Sequence, residues 1–210
     1  DSHGNLWIGT RRGINHFNTT TKKFTHYRHN NDKPNSLSNN SVLSMIEDSQ
    51  GDFWFGTTKG LNHFNSKTEH FTHYRHQDND SNSLSNDVVL SITEGSDGKL
   101  WVGTYSGLNK FDTQLKNFQI YTKDHGLPDN VIYSTEEDKQ GYIWISTNQG
   151  VSRMDPKVET FKSYDVSDGL QSNEFNLGAS FKSKTGELFF GGINGLNRFL
   201  PGNSKGDIQP

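Results

Sequence analysis

Every tryptophan of this chain stands at one position of a repeating unit, and that placement constrains the fold more than any other feature. L-W-I-G-T holds Trp7, F-W-F-G-T holds Trp54, L-W-V-G-T holds Trp101 and I-W-I-S-T holds Trp144. A fifth copy, L-F-F-G-G, puts Phe189 in the same place, and the intervals are 47, 47, 43 and 45 residues. A glycine lies three residues before each aromatic (Gly4, Gly51, Gly98, Gly141, Gly186) and another six after it (Gly13, Gly60, Gly107, Gly150, Gly195). Ten after it comes Phe17, Phe64, Phe111, Met154 or Phe199. Four units continue with F-x-x-Y: Phe24 with Tyr27, Phe71 with Tyr74, Phe118 with Tyr121 and Phe161 with Tyr164. Of the 25 aromatic residues, 17 therefore fall in four columns.

Each unit reads as four short strands. In the second, Val42 to Glu47, Phe53 to Thr57, Leu61 to Phe64 and Phe71 to His76 are strand-like runs, separated by turns that end in Gly51 and Gly60. Glycine supplies the positive φ that such tight turns need. Four strands in 43 to 47 residues, repeated several times, are the signature of a β-propeller blade. The hydrophobic share is 29%, yet 12% of the chain is aromatic, so the core is made of few, large pieces. Alanine occurs once, at Ala179, against 21 glycines, which disfavours long helices. The fold class is all-β: a propeller of four-stranded antiparallel blades with five repeats visible. The expected blades are 1–29, 42–76, 88–122, 131–165 and 175–200, within a propeller region 1–201, followed by a polar tail, 202–210. The first unit lacks an inner strand and the fifth stops after its third, so a partial arc is favoured over a closed five-bladed ring.

Several function classes find no support. Net charge is −3 with no basic stripe, which removes the electrostatic footprint of nucleic-acid binding. No apolar run approaches a membrane span. There is no cysteine, hence no disulfide, thiolate metal site or cysteine nucleophile. Neither G-x-S-x-G, H-E-x-x-H nor a phosphate-binding G-x-x-x-x-G-K occurs. H-Y-R-H appears twice, as His26 with His29 and His73 with His76. Residues three apart on a strand point to opposite faces, so these pairs read as blade duplication rather than as metal ligands. The acidic run Glu136, Glu137 and Asp138 reads as a strand end, and D-S-Q-G as a hairpin turn. No catalytic residue, metal or cofactor is expected.

The string G-x-L-W-I-G-T-x-x-G-L-x-x-F, followed by S-L-S-N-N or G-L-P-D-N, resembles the two-component regulator propeller repeat, from Gly4 to Pro201. The resemblance implies a periplasmic sensor propeller of a hybrid two-component histidine kinase or a diguanylate cyclase. It further implies recognition of an oligosaccharide, and a larger, seven-bladed ring of which five blades are present. The output domain would lie outside this chain. A propeller enzyme, such as a lyase or glycosidase, and a protein-interaction platform are the alternative readings.

A residue that recurs in every blade is most simply structural, whereas one that varies at the binding end is available to a ligand. The turn between the second and third strands varies in this way. It carries Arg11 and Arg12, Thr58 and Lys59, Tyr105 and Ser106, Asn148 and Gln149, and Asn194 after Ile193. A tyrosine face with Arg, Asn and Gln donors suits a sugar ring and its hydroxyls or carboxylate. These are the ligand-binding candidates. The loops entering the inner strands carry Asn39 and Asn40, Asn86 and Asp87, Asp129 and Asn130, and Asn173 and Glu174. Their recurrence reads as turn fixation. A small molecule or oligosaccharide is the expected partner, with self-association through exposed blade faces as a second contact.

Overall fold

Successive strand residues point to opposite faces, so in F-W-F-G-T the indole faces one way and both phenylalanines the other. The computed structural model describes residues 1–202 and shows what each face meets. Residues 203–210 of the polar tail lie outside the described residues. Trp54 packs among Leu100, Val102 and Phe111 of the next unit. Phe53 and Phe55 in turn receive Trp7 from the preceding unit, at ring-centroid distances of 4.2 and 5.9 Å. Trp101 meets Ile143, Ile145 and Met154 in the same way, and Trp144 meets Leu188, Phe190 and Phe199. A buried indole removes about 200 Å² from water, an upper-bound gain of roughly 5 kcal/mol per junction.

Five antiparallel sheets result. Blade 1 comprises β1 (Leu6–Thr10), β2 (Gly13–Asn18) and β3 (Lys23–Tyr27). Blade 2 comprises β4 (Val42–Glu47), β5 (Phe53–Thr57), β6 (Gly60–Asn65) and β7 (His70–Tyr74). Blade 3 holds β8 (Val89–Glu94), β9 (Leu100–Thr104), β10 (Gly107–Asp112) and β11 (Asn117–Tyr121). Blade 4 holds β12 (Ser134–Glu137), β13 (Ile143–Thr147), β14 (Gly150–Asp155) and β15 (Thr160–Tyr164), and blade 5 holds β16 (Phe175–Lys182), β17 (Leu188–Gly192) and β18 (Gly195–Phe199). Strands follow chain order within each sheet, and among the described residues the end blades have three strands each. The inner strands pack side by side, β4 on β8, β8 on β12 and β12 on β16, around a groove of about 420 Å³. Leu6, Ile8 and Phe24 of blade 1 are exposed, whereas Phe53, Phe55 and Phe71 in the same columns of blade 2 are buried.

Polar contacts pin the junctions at the end where the first strand turns into the second. Ser49 donates from both N and Oγ to Glu94 of the next blade, at 2.8 and 2.7 Å. Ser2 grips Glu47 and Ser96 grips Glu137 identically. At the last junction both members change, and Lys139 donates to the Thr185 carbonyl while Lys182 donates to that of Glu137. Within blades, the indole N–H of Trp7, Trp54 and Trp144 donates to Asp1, Asp48 and Asp138. The residue opposite each tryptophan on the third strand is His16, His63, Lys110 or Arg153. His16 and His63 stack on their indoles at 4.3 and 4.4 Å, and Lys110 lies 5.1 Å over the ring of Trp101.

One local expectation needs correction. The fourth strand of blade 2 ends at Tyr74 rather than at His76, because the His76 N–H leaves the ladder for Asp87 Oδ1 at 2.8 Å. Short 3₁₀ turns, Lys123–His125 and Val166–Asp168, lie on either side of blade 4, each closed by a glycine with positive φ.

His73 Nε2 lies 2.6 Å from the Ser36 carbonyl of the loop before it. Burial, followed by the charges of Arg75 and His29, outweighs that bond and holds its pKa below the ordinary histidine value. His16 is shifted downward too, chiefly by burial. The unfolded chain therefore takes up these protons more readily, near pH ~6.5. Stability is complete above that pH and is lost as pH falls toward the folded-state values. Thermal unfolding from pH 7.5 to pH 5 should show a falling midpoint, and His73→Gln should make that slope shallower.

Candidate functional site

The turns between second and third strands are held from below by a buried polar network. In blade 2, Thr57 Oγ1 donates to the Gly60 carbonyl and accepts from Lys59 N–H, at 3.0 and 3.1 Å. Asn62 Nδ2 donates to the carbonyls of Phe55 and Gly60, and its Oδ1 accepts from Ser38 N–H at 2.8 Å. Ser38 Oγ completes the set, 3.0 Å from Thr57 Oγ1. Thr104, Asn109 and Ser85 repeat the arrangement in blade 3. Blade 4 has Pro128 in place of that serine, with no N–H to satisfy, and its asparagine is replaced by Ser152. In blade 5 Gln171 N–H donates to Asn197 Oδ1, and its side chain lies where a β-carbon on Gly192 would stand, so Gly192 replaces the threonine.

These fixed turns carry the candidate residues, which divide into two groups. Thr58 Oγ1 donates to Asn39 Oδ1 at 3.0 Å, and Ser106 Oγ accepts from Asn86 at 3.1 Å. Asn148 Oδ1 accepts from the Tyr133 hydroxyl, and Asn194 N–H donates to Gln171 Oε1, both at 2.8 Å. These four tie each turn to the loop entering the inner strand. The side chains of Arg11, Arg12, Lys59, Tyr105 and Gln149 are exposed, and among the described residues none of these side chains makes a hydrogen bond. The entry loops act on backbone as expected. Asn39, Asn86 and Asp129 accept from the N–H two residues on, and Asn40, Asp87, Asn130 and Asn173 accept from the end of the preceding outer strand or the turn after it.

Sequence reasoning missed two cations at this end. Arg28 and Arg75, the latter inside the strand expected over Phe71 to His76, both follow the outer strands, and their stems lie against Gly13 and Gly60 of the turns. The signal was available: each comes directly after the tyrosine that pairs beside the turn glycine. Arg11, Arg12, Arg28, Lys59 and Arg75 thus gather positive charge on blades 1 and 2, while blades 3 and 4 offer Tyr105, Asn148 and Gln149.

The remaining chemistry-bearing residues have structural partners. Glu136 accepts from Ser180 Oγ at 2.9 Å in the central groove, and burial raises its pKa. Glu137 holds Ser96 and Asp138 holds Trp144, so the acidic run is split three ways. His29 and His76 bond through Nδ1 to the carbonyls of Leu37 and Leu84. Among the described residues no three His, Cys, Asp or Glu side chains converge as a metal site.

A family model described as two component regulator propeller matches residues 36–59, 83–106 and 126–149, each running from an entry loop to the turn after the second strand. The extracellular domain assigned to the hybrid two component system BT3049 of B. thetaiotaomicron is 32% identical over 96% of this chain, with a TM-score of 0.84. The present chain spans 27% of that chain's length. The extracellular domain of BT4673 from the same organism is 23% identical over 95% of this chain and 34% of its own, with a TM-score of 0.63. Virginiamycin B lyase from Staphylococcus aureus shares the fold at 17% identity, over 100% of this chain and 66% of its own, with a TM-score of 0.70. No curated protein matches the sequence. The chain carries repeats of the two component regulator propeller family.

Proposed function

We propose that this chain is a non-catalytic, ligand-sensing part of a signalling receptor. It acts outside the cytoplasmic membrane and takes a small carbohydrate on its turn end. The observation that carries this reading is the likeness over 96% of the chain to an extracellular domain of a hybrid two component system. The turn end supports it chemically. Turns fixed by the Thr57–Asn62–Ser38 network present their exposed side chains with little ordering cost on binding. Tyr105 offers a flat face to a sugar ring, Gln149 donates to hydroxyls, and the cations of blades 1 and 2 favour a ligand that bears carboxylates. Such a ligand spans adjacent blades and biases their relative angle, which is the signal passed to an output domain beyond this chain. The periplasm is the compartment this reading implies. The exposed Leu6, Ile8 and Phe24 face makes self-association a second contact, readable by sedimentation.

The test is an array of neutral and uronic-acid oligosaccharides, followed by calorimetry with the best binder. Binding without turnover is expected, stronger for the acidic members. Arg12→Ala and Tyr105→Ala should each weaken it about tenfold, while the Tm of the unliganded protein stays put, as for exposed residues without partners. Affinity untouched by both substitutions removes the turn end as the site, and released product makes the chain an enzyme.

The network beneath the turns gives a companion prediction. Thr57→Val keeps the shape but leaves the buried Ser38 hydroxyl and the Lys59 N–H without the oxygen they bond. Chemical denaturation should show a loss of about 1–3 kcal/mol, and affinity for the same oligosaccharide should fall as the turn loosens.

A further inference from the structure

We propose that the cleft between blades 3 and 4, on the rim opposite the turn end, binds a neutral sugar ring, one hydroxyl of which bridges the Trp101 indole N–H and the Asp97 carboxylate. Trp101 is 1% exposed, and its N–H has no hydrogen-bond partner among the described residues. The other three indoles are each served by an aspartate six residues earlier. Asp1, Asp48 and Asp138 accept from them at 2.9, 2.8 and 2.8 Å. Blade 3 has Gly95 at that position. A β-carbon on Gly95 would stand 3.2 Å from Trp101 Nε1, so the donor faces the gap that the missing carboxylate leaves. A buried N–H without an acceptor is costly, and nearly all such groups in folded proteins find one.

The acid of this turn has moved rather than vanished. D-S-H-G, D-S-Q-G and D-K-Q-G in the other tryptophan blades become G-S-D-G in blade 3. Asp97 Oδ1 lies 3.0 Å from the same β-carbon place. It accepts from Lys99 N–H at 3.1 Å, the bond that Asp52 N–H makes to Asp48 in blade 2. Its Oδ2 pairs with Lys110 Nζ at 3.4 Å. Asp97 thus takes over part of the lost role and makes no bond to the indole. A donor and an acceptor flank one gap. A hydroxyl accepts and donates through a single oxygen and answers both. A ligand carboxylate would meet Asp97 as a like charge, and an ammonium would offer the indole N–H no acceptor.

The rest of the cleft suits the same ligand. Its volume is about 480 Å³, within the roughly 300–1,000 Å³ of small-molecule sites. Three carboxylates on its walls, Asp97, Glu137 and Asp138, are balanced by Lys110, Lys139 and Lys157, so no net charge selects an ion. Glu137, Asp138 and Lys139 are already bonded to Ser96, Trp144 and the Thr185 carbonyl. The side chains of Gln140 and Lys157 line the cleft without a hydrogen bond among the described residues and can reach further hydroxyls, while Pro156 offers an apolar wall to ring C–H groups. The corresponding cleft between blades 2 and 3, where Asp48 holds its indole, is about 260 Å³. The site is independent of the turn-end ligand, which lies on the other rim.

The experiment follows the four indole N–H resonances of the intact, ¹⁵N-labelled protein. D-glucose, D-galactose and D-mannose are titrated separately, with sodium acetate as the anionic probe. With at least one sugar the Trp101 signal, assigned by Trp101→Phe, should move and saturate while those of Trp7, Trp54 and Trp144 stay in place. Gly95 has no positive φ, and aspartate stands at its position in three blades, so Gly95→Asp installs the missing acceptor and should weaken binding more than tenfold. Asp97→Ala, at a side chain 47% exposed, should weaken it about tenfold. Tyr105→Ala should leave the titration unchanged. No saturable movement with any of the three sugars overturns the proposal and leaves water as the occupant. Four indoles shifting together, a larger response to acetate, or full binding by both Gly95→Asp and Asp97→Ala overturns it too. So does loss of the response in Tyr105→Ala, because the sugar would then sit at the turn end alone.

Discussion

One indole per junction holds neighbouring blades together, and each blade is organised around keeping it in place. The side chain opposite it on the third strand is a histidine, lysine or arginine, stacked on or poised over the ring. In three blades the ring N–H is satisfied by an aspartate in the preceding turn. Without that acceptor a buried N–H costs about 1–3 kcal/mol, a large fraction of what burying the ring contributes. The other face belongs to the next blade. A single side chain thereby links a turn, a hairpin and a neighbouring sheet, so its column is filled by tryptophan four times and by phenylalanine once.

Much of the fold was legible because the chain is its own alignment. Columns of Trp, Gly and F-x-x-Y at a near-constant interval gave the five antiparallel blades and the order of strands within them. The interval also concealed something. Ser2 and Glu47, or Ser49 and Glu94, are 45 residues apart, nearly one full repeat, so superposing the units places the partners in separate columns and never side by side. Arg75 was misplaced for a related reason. A charge after the last strand reads as an outer-edge residue until the turn glycine beside that strand is seen. Of the candidate site residues, the turn and its variability were legible. Which side chains are committed to the entry loops was not, because Thr58 and Lys59, or Tyr105 and Ser106, look equivalent along the chain.

Departures from the repeat carry as much information as its regularities. Pro128 has no N–H, and the asparagine that serves that N–H elsewhere is Ser152 in its blade. Gln171 fills the space beside Gly192, where the other blades place threonine. Lys139 and Lys182 replace a serine and a glutamate together, and the carboxylate grip gives way to bonds with backbone carbonyls. In each case the second change answers the chemistry of the first, so these sites behave as coupled sets rather than as independent positions.

The serine–glutamate grips lie at the opposite end of the blades from the turns that carry Arg12, Lys59 and Tyr105. Two plates pinned along one rim keep mainly a rocking freedom, with its axis at the pinned rim and its widest travel at the other. A small change of spacing between adjacent turns is then converted into a tilt of whole sheets. At the last junction the rim is held instead by two lysines on backbone carbonyls, so the pin there does not depend on a carboxylate.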